Sequence, residues 1–491
     1  SYKLEVGPPP GAPLFMLLAR LATLLAPSTH YVPHMVNALN CLASAFTILF
    51  LFWTITHLGY RLVERRGEPS EANRWAVLGA GLVGALAYTF TDTFWFSAVE
   101  GEVYALSSMF TALVVWLMMR WEREADEPHA NRWLILIAYL MGLSIGVHLL
   151  NLLTIPALVF IYYFRKVKSP SWRGLFYATL ISGAILIFLN NLVIPYTVYV
   201  GAMVDLFCVN VLGLPINAGM VLFSLGLFAL LGWGVYTTHR RGYVWLNTAL
   251  LALTVVLIGF SSYATVTIRA AANPPMNSNN PDNPHALLSL ISRDQYGQKP
   301  LLYGAYYSAP ATGYDTKRVY YVGDDGKYKA GEVVTKTEHD PQFMHLFPRM
   351  WDSRYSERDY KPWAAHRTRE ELARDEQGNV MRGEDGRPLY TTVLDYGRTV
   401  MDDRGARVVE PTFRENLNYF FTYQLNYMYW RYFLWNFVGR QSDIQATHET
   451  ILDGNWRSGF DALDGLYIGP QEEEYLPREV RENPGRNGYY F

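Results

Sequence analysis

The feature that most constrains this chain is a series of apolar runs between residues 34 and 268, separated by short polar breaks. A hydrocarbon core about 30 Å thick is crossed by roughly 20 helical residues. Read on that scale, the runs predict eight spans, near 34–58, 74–97, 102–119, 133–149, 151–165, 174–195, 216–238 and 244–266. Spans 133–149 and 151–165 are short and nearly contiguous, so they read as a tight hairpin. After residue 269 the chain is rich in Asp, Arg, Tyr, Asn and Gly. No comparable run follows until an aromatic stretch near 417–438. The expected fold class is thus a polytopic α-helical membrane protein in three parts. An outer loop with an amphipathic helix (1–33) precedes the transmembrane domain (34–268), and a water-facing α+β domain (269–491) follows it.

Positive charge orients these spans. Alternate loops hold Arg61, Arg65, Arg66 and Arg74; Arg120, Arg123 and Arg132; Arg165, Lys166, Lys168 and Arg173; and Arg240 and Arg241. That is 13 Lys or Arg on one side, whereas the breaks at 98–101, 149–151 and 196–215 hold none. The basic loops are expected in the cytoplasm, with Ser1 and everything beyond Arg269 on the other side. A chain starting outside without a signal peptide is expected to follow an earlier span, and "RENPGRNGYYF" stops on a loop. The expectation is therefore a piece cut at both ends. A net charge of −2 gives no electrostatic reason to invoke nucleic acid. Two cysteines, Cys41 and Cys208, make no disulfide framework.

Three stretches carry candidate chemistry. "TDTFWFSAVEGEVYALSS" (Thr91–Ser108) places Asp92, Glu100 and Glu102 beside Trp95 and Tyr104 at an outer junction. It reads either as a solvated turn with belt aromatics or as an outward polar pocket with a carboxylate base, the latter worth about 10²–10⁴-fold. In "GLSIGVHLLNLLTIPAL" (Gly142–Leu158), His148 and Asn151 share a face if one helix runs through the join. A lone His on an apolar helix is more often a satisfied core residue, but this one sits level with the carboxylates. In "YATVTIRAAANPPMNSNNPDNPHALLSLISRDQYG" (Tyr263–Gly297), a span exits at Arg269 into an Asn/Pro-rich segment that is not regular helix. A guanidinium there suits a phosphate, or simply snorkels at a helix end; Arg293 is a second such cation.

Hairpin signals follow at Asp325-Gly326, Gly378, Gly386 and Gly405. Asn418–Gln441 reads as an aromatic-rich helix, either lying along the membrane interface or offering stacking faces. "GAGLVGALAY" (Gly79–Tyr88) has small-residue spacing that reads as helix packing. Walker loops, dinucleotide fingerprints and zinc spacings do not occur, so no metal or tightly held cofactor is expected.

The segments "KLEVGPPPGAPLF", "FWFSAVEGEVYAL", "GLSIGVHLLNLLTIPALVF", "RAAANPPMNSNNPDNP", "RDQYGQKPLLYG" and "YQLNYMYWRYFLWNFVGRQ", in this order, resemble the bacterial protein O-mannosyltransferase-like family of GT-C-type membrane glycosyltransferases. The resemblance implies a bacterial inner-membrane enzyme with a periplasmic domain. It implies inverting transfer of a mannose-like sugar from a polyprenyl-phosphate donor to a hydroxyl acceptor, Ser or Thr of exported proteins. Members usually carry an acidic segment just ahead of the part where this chain starts, followed by a His-Pro-Pro-Gly turn; here Pro8 stands at the His position. The main base is accordingly expected upstream of Ser1. Glu102 and Glu100 would then position acceptor or sugar, Arg269 and Arg293 the donor phosphate, and Asp92, Trp95, Tyr104, His148 and Asn151 the sugar or lipid. Two other classes stay open at this stage, a transporter and a non-catalytic anchoring subunit of a larger membrane complex.

Overall fold

The computed structural model describes residues 1–297, 299–375, 377–383, 385–444, 454–467 and 477–487. It comprises two compact units: Ser1–Tyr296 with Arg318–Gly331, and Gly297–Lys317 with Glu332–Phe491.

The first unit is built of helices: α1 (Pro13–Thr23), α2 (Val32–Glu64), α3 (Glu71–Thr89), α4 (Asp92–Val99), α5 (Val103–Glu124), α6 (Asn131–Ile145), α7 (Ile155–Lys166), α8 (Trp172–Ile187), α9 (Ile194–Asn210), α10 (Ala218–Arg240), α11 (Val244–Phe260), α12 (Ala264–Ala271) and α13 (Pro284–Ser292). Among the described residues, six helical stretches are long and apolar enough to cross a membrane: Thr29–Glu64, Val103–Glu124, Leu149–Lys166, Trp172–Asn210, Ala218–Arg240 and Val244–Ala271. Counting α3 and α4 together as one broken span makes seven. Their outward faces are apolar, with Val83, Leu225 and Trp233 exposed as bilayer-facing side chains are.

The expected eight spans are corrected in three places. The run at 74–97 is not one helix, because α3 and α4 meet at a 68° bend. The run at 133–149 stops at Ile145, giving a helix of 15 residues. The run at 174–195 does not end there: through a wide π-helical turn at Phe188–Val193 it continues to Asn210. Pro195 sits at the start of the α9 segment, where its missing N–H is tolerated. Residues 196–210, expected in an outer loop, are therefore helical.

Glycine sets the closest crossing. A Cβ on Gly142 of α6 would lie 2.4 Å from the Val256 carbonyl oxygen of α11, and one on Gly259 would lie 2.4 Å from the Leu143 nitrogen. The two backbones touch, as small residues at a membrane helix interface permit. At the α2–α3 contact Gly81 and Gly84 instead make room for the Thr56 and Ile55 side chains. Ion pairs gather at the Arg/Lys-rich ends: Arg61 with Glu122 at 2.6 Å, Arg132 with Glu124 at 2.9 Å, and Lys166 with Asp126 at 3.1 Å. At the other end Val6 is bridged to Asn277, which fixes the N-terminal segment to the Asn/Pro-rich stretch.

Among the described residues the second unit holds four two-stranded sheets: β1 (Tyr303–Ala305) with β4 (Met344–Leu346), β2 (Ala311–Val322) with β3 (Tyr328–His339), β5 (Arg367–Leu372) with β6 (Tyr390–Asp395), and β7 (Arg398–Met401) with β8 (Arg407–Glu410). The β2–β3 hairpin contributes its tip to the first unit. The registers of β1/β4, β5/β6 and β7/β8 are antiparallel, with Gly304 opposite His345, Arg369 opposite Val393 and Thr399 opposite Val409. Gly326, Gly378, Gly386 and Gly405 all take positive φ, as the expected turns require. The core is tyrosine-rich: Tyr306, Met350, Tyr360, Tyr396, Tyr419 and Tyr423.

The aromatic helix begins at Phe413 behind a Thr412–Glu415 capping box and runs through a π-helical stretch to Phe437. Its Tyr419 and Tyr423 rings stack at 4.9 Å, and Trp363 packs on Tyr423 and Tyr427 at 5.1 and 4.8 Å. The helix therefore gives one side to the core. Any interfacial or stacking surface is confined to the other side, where Phe421, Tyr429 and Trp430 are exposed.

Candidate functional site

The α4–α5 loop is held from below by one buried amide. Asn40 of α2 is 0% exposed, and its Nδ2 donates to the carbonyl oxygens of Glu100 and, at 2.6 Å, of Glu102. Using both N–H groups on backbone leaves the Glu100 and Glu102 side chains directed outward, exposed and without hydrogen bonds among the described residues. The fit is tight: a Cβ on Gly101 would lie 3.2 Å from Asn37 and Val36 of α2. Two glutamates with a single glycine between them are thereby fixed by backbone, with their carboxylate oxygens free for a ligand.

Asp92 is not brought to them. It opens α4 while Glu100 caps its far end, and eight rises of the helix separate the two by about 12 Å. Trp95 is exposed and stacks on Phe90 at 5.9 Å.

Tyr104 follows the loop in the first turn of α5, and its ring lies 5.6 Å from that of His148. The expectation that His148 and Asn151 share a helix face is corrected, because no helix runs through the join. His148 has extended backbone and caps a 3₁₀ turn, its Nδ1 accepting the Leu150 N–H at 3.1 Å. Asn151 is fully buried and donates to Ser144 Oγ at 3.0 Å. With Nδ1 accepting, the neutral imidazole carries its proton on Nε2. Burial, and then the nearby Arg293 guanidinium, hold His148 below its ordinary pKa, so this neutral form is favoured. Arg293, exposed in a left-handed helix C-cap, thus belongs to the same corner as His148 and Tyr104.

Arg269 is engaged elsewhere. Its Nε and Nη2 donate to the carbonyls of Leu4 and Lys3 at 3.0 and 2.9 Å. Much of its fork clamps the N-terminal segment.

Next to Tyr104, a groove of about 400 Å³ runs between Thr47, Leu51 and Thr54 of α2 and Ser107, Thr111 and Val115 of α5, with Tyr88 and Leu150 at its sides. Thr47 and Thr54 return their hydroxyl protons to the carbonyls of Ala43 and Phe50, so they present methyl groups to the groove. The result is an apolar slot ending at Tyr104, whose helix starts at the carboxylate loop. Among the described residues no group of three or more His, Cys, Asp or Glu could hold a metal ion.

Two residues here escaped the sequence reading. Asn40 sits in an apolar run without any local motif. Asp205 is the sole acidic residue between Glu127 and Asp282. A lone carboxylate in such a stretch is itself a signal, which a loop assignment of 196–215 hides. Asp205 is 0% exposed and accepts from the N–H groups of Asn217 at 3.1 Å and Gly219 at 2.7 Å, and from the Tyr328 hydroxyl at 2.7 Å.

Fold and site together define a polytopic membrane protein with an exposed carboxylate loop beside an apolar groove. Residues 1–171 match the family described as Protein O-mannosyl-transferase TMEM260 N-terminal domain, and residues 297–421 match a family of unknown function (DUF8416). The chain is 26% identical over 170 residues to Protein O-mannosyl-transferase tmem260 of Dictyostelium discoideum, covering 33% of this chain and 19% of that protein. It is 29% identical over 145 residues to Protein O-mannosyl-transferase TMEM260 of Mus musculus, covering 30% of this chain and 18% of that one. The chain thus matches about a fifth of the length of these curated relatives. Both are eukaryotic, so the matches carry the O-mannosyl-transferase part of the resemblance and not its bacterial part. No solved structure matches. The carboxylate loop, Tyr104, His148 and Asn151 lie inside the first matched segment, whereas Arg269 and Arg293 lie outside it.

Proposed function

We propose that the chain is a membrane-embedded, GT-C-type inverting glycosyltransferase that moves a mannose-like sugar from a polyprenyl-phosphate donor to a Ser or Thr hydroxyl of exported proteins. The observation that carries this reading is the adjacency, within the segment similar to O-mannosyl-transferases, of two outward carboxylates and an apolar groove. The reaction occurs on the face opposite the Arg/Lys-rich loops, the periplasmic face if the membrane is a bacterial inner membrane.

In this reading the polyprenyl tail lies in the groove, and the sugar stands at the loop. Glu102 or Glu100 holds the acceptor hydroxyl, whose proton passes to the main base as its oxygen bonds to the anomeric carbon. The bond from that carbon to the phosphate oxygen breaks on the opposite face, and its electron pair leaves with the phosphate. Arg293 offsets the growing phosphate charge, and His148, protonated on Nε2, donates a hydrogen bond beside Tyr104. Arg269 keeps the N-terminal segment in place, with part of its guanidinium left for phosphate. Asp92 and Trp95 flank the sugar less directly.

The test is transfer of radiolabelled mannose from polyprenyl-phosphate mannose to exported protein in membranes holding the full-length protein. Label entering protein, reduced by Glu102→Gln or Glu100→Gln at unchanged expression and melting, supports the proposal. Intact protein that transfers no sugar from any polyprenyl-phosphate donor sinks it.

A further inference from the structure

A further cavity lies wholly within the second unit. It measures about 910 Å³, near the top of the ~300–1,000 Å³ typical of pockets that enclose small ligands. The base of the β2–β3 hairpin, from Ala311 to Asp315 and from Thr335 to His339, lines it together with Tyr303 to Tyr307 and Trp351 to Ser353.

Three features of the lining define the ligand. Aromatic rings stand at its surface: Tyr303 and Tyr314 are 55% and 64% exposed, although nearby Tyr306 is buried. Solvated aromatic faces of this kind pack against the C–H faces of a flat polar ligand while their hydroxyls stay wet. The charges are balanced, with Lys299 and Lys336 set against Asp315, Glu338 and Asp352. Asp352 is further neutralised by Arg354, which donates to it at 2.6 Å. A phosphate or uronate site needs a surplus of cations, and this lining has none. Large aliphatic side chains are nearly lacking: among the described residues Met344 is the sole Leu, Ile, Val or Met in the lining, so the cavity offers few of the apolar side-chain pockets that peptide grooves use.

We infer that this cavity is a binding site for a neutral oligosaccharide, with Tyr303 and Tyr314 as stacking platforms and Lys299, Lys336, Asp315 and Glu338 as hydrogen-bonding partners for its hydroxyls. The inference does not rest on the transfer reaction, and its readout is binding.

The full chain in lipid nanodiscs is titrated with neutral trisaccharides of mannose, glucose and galactose, followed by saturation-transfer NMR of the sugar C–H protons. A trigalacturonate and a short Ser/Thr-rich peptide serve as comparison probes. The expected result is saturation transfer to at least one neutral trisaccharide, with about tenfold weaker binding in Tyr314→Ala and again in Tyr303→Ala, the loss of one stacking contact. Both tyrosines are exposed, so neither variant should disturb folding, and an unchanged melting temperature verifies this. Absence of binding by all three neutral sugars overturns the inference. So does preferential binding of trigalacturonate or peptide, or neutral-sugar binding unchanged in both variants.

Discussion

Two acidic sites in the first unit make opposite use of the same chemical group. At the α4–α5 loop the protein spends a buried amide, Asn40, on backbone carbonyls and leaves the Glu100 and Glu102 carboxylates exposed. At the start of α10 it buries the Asp205 carboxylate and occupies both of its oxygens. Oδ1 accepts from Gly219 and Met220, and Oδ2 from Asn217 and Tyr328. The first four N–H groups of a helix have no partner in that helix, and the helix dipole places partial positive charge there. Asp205 therefore holds α9, α10 and the hairpin tip together, and has no lone pair directed at a substrate. A carboxylate near a membrane face is available for chemistry only if something else bonds the backbone around it.

The comparison is broken most decisively by exchanging each carboxylate for a neutral group. Glu102→Gln is expected to lower sugar transfer by about 10²-fold, through loss of a group that positions the acceptor, while leaving the melting temperature in detergent unchanged. Equal activity of variant and wild type would remove Glu102 from the chemistry. Asp205→Ala should do the reverse, costing roughly 2–4 kcal/mol through several buried donors left without acceptor. Chemical denaturation would reveal it, and per-molecule activity of the surviving folded fraction should be near normal. Asn40→Ala tests whether the loop depends on its amide. Misplaced carboxylates should reduce transfer by up to about 10²-fold, measured at saturating donor so that binding is not limiting.

A subtler change is Tyr328→Phe, which removes one of the donors to Asp205 and should cost about 0.5–1.5 kcal/mol. The smallest effect concerns pH. His285 packs between Tyr320 and Tyr328, with ring centroids at 5.0 and 4.9 Å, and burial lowers its pKa from the ordinary 6.5 despite the nearby Asp205. Because the folded value is depressed, the unfolded chain takes up the proton first. Stability is full above pH 6.5 and is lost as the pH falls from there through the folded value. Melting temperatures across that interval should fall for wild type and fall less for His285→Asn.

Much of this architecture was legible as pattern. Apolar runs located most membrane helices, and Gly326, Gly378, Gly386 and Gly405 marked hairpin turns that formed. Glu100, Glu102 and Tyr104 were legible as a polar cluster at a span end. The failures share one cause, since each depended on a partner distant in sequence. His148 ends the extended break after Ile145 and Asn151 falls in the 3₁₀ turn beyond it, and the break follows an α6–α11 backbone contact between residues more than a hundred apart in the chain. Trp172–Asn210 stays helical past Pro195 because a π-turn absorbs the irregularity and Asp205 then docks on α10.

The sequence by itself determined that the chain lives in a membrane, which of its ends carry positive charge, and that carboxylates gather beside Trp95 and Tyr104. Those properties follow from solvent partition and local spacing, which depend on composition along a single stretch. Only the tertiary structure decided which carboxylate is free and which is bound, that Arg269 grips the Lys3 and Leu4 carbonyls, and that Arg293 stands near His148. These are matters of hydrogen-bond pairing, and pairing is settled by whichever donors and acceptors folding brings within about 3 Å of one another.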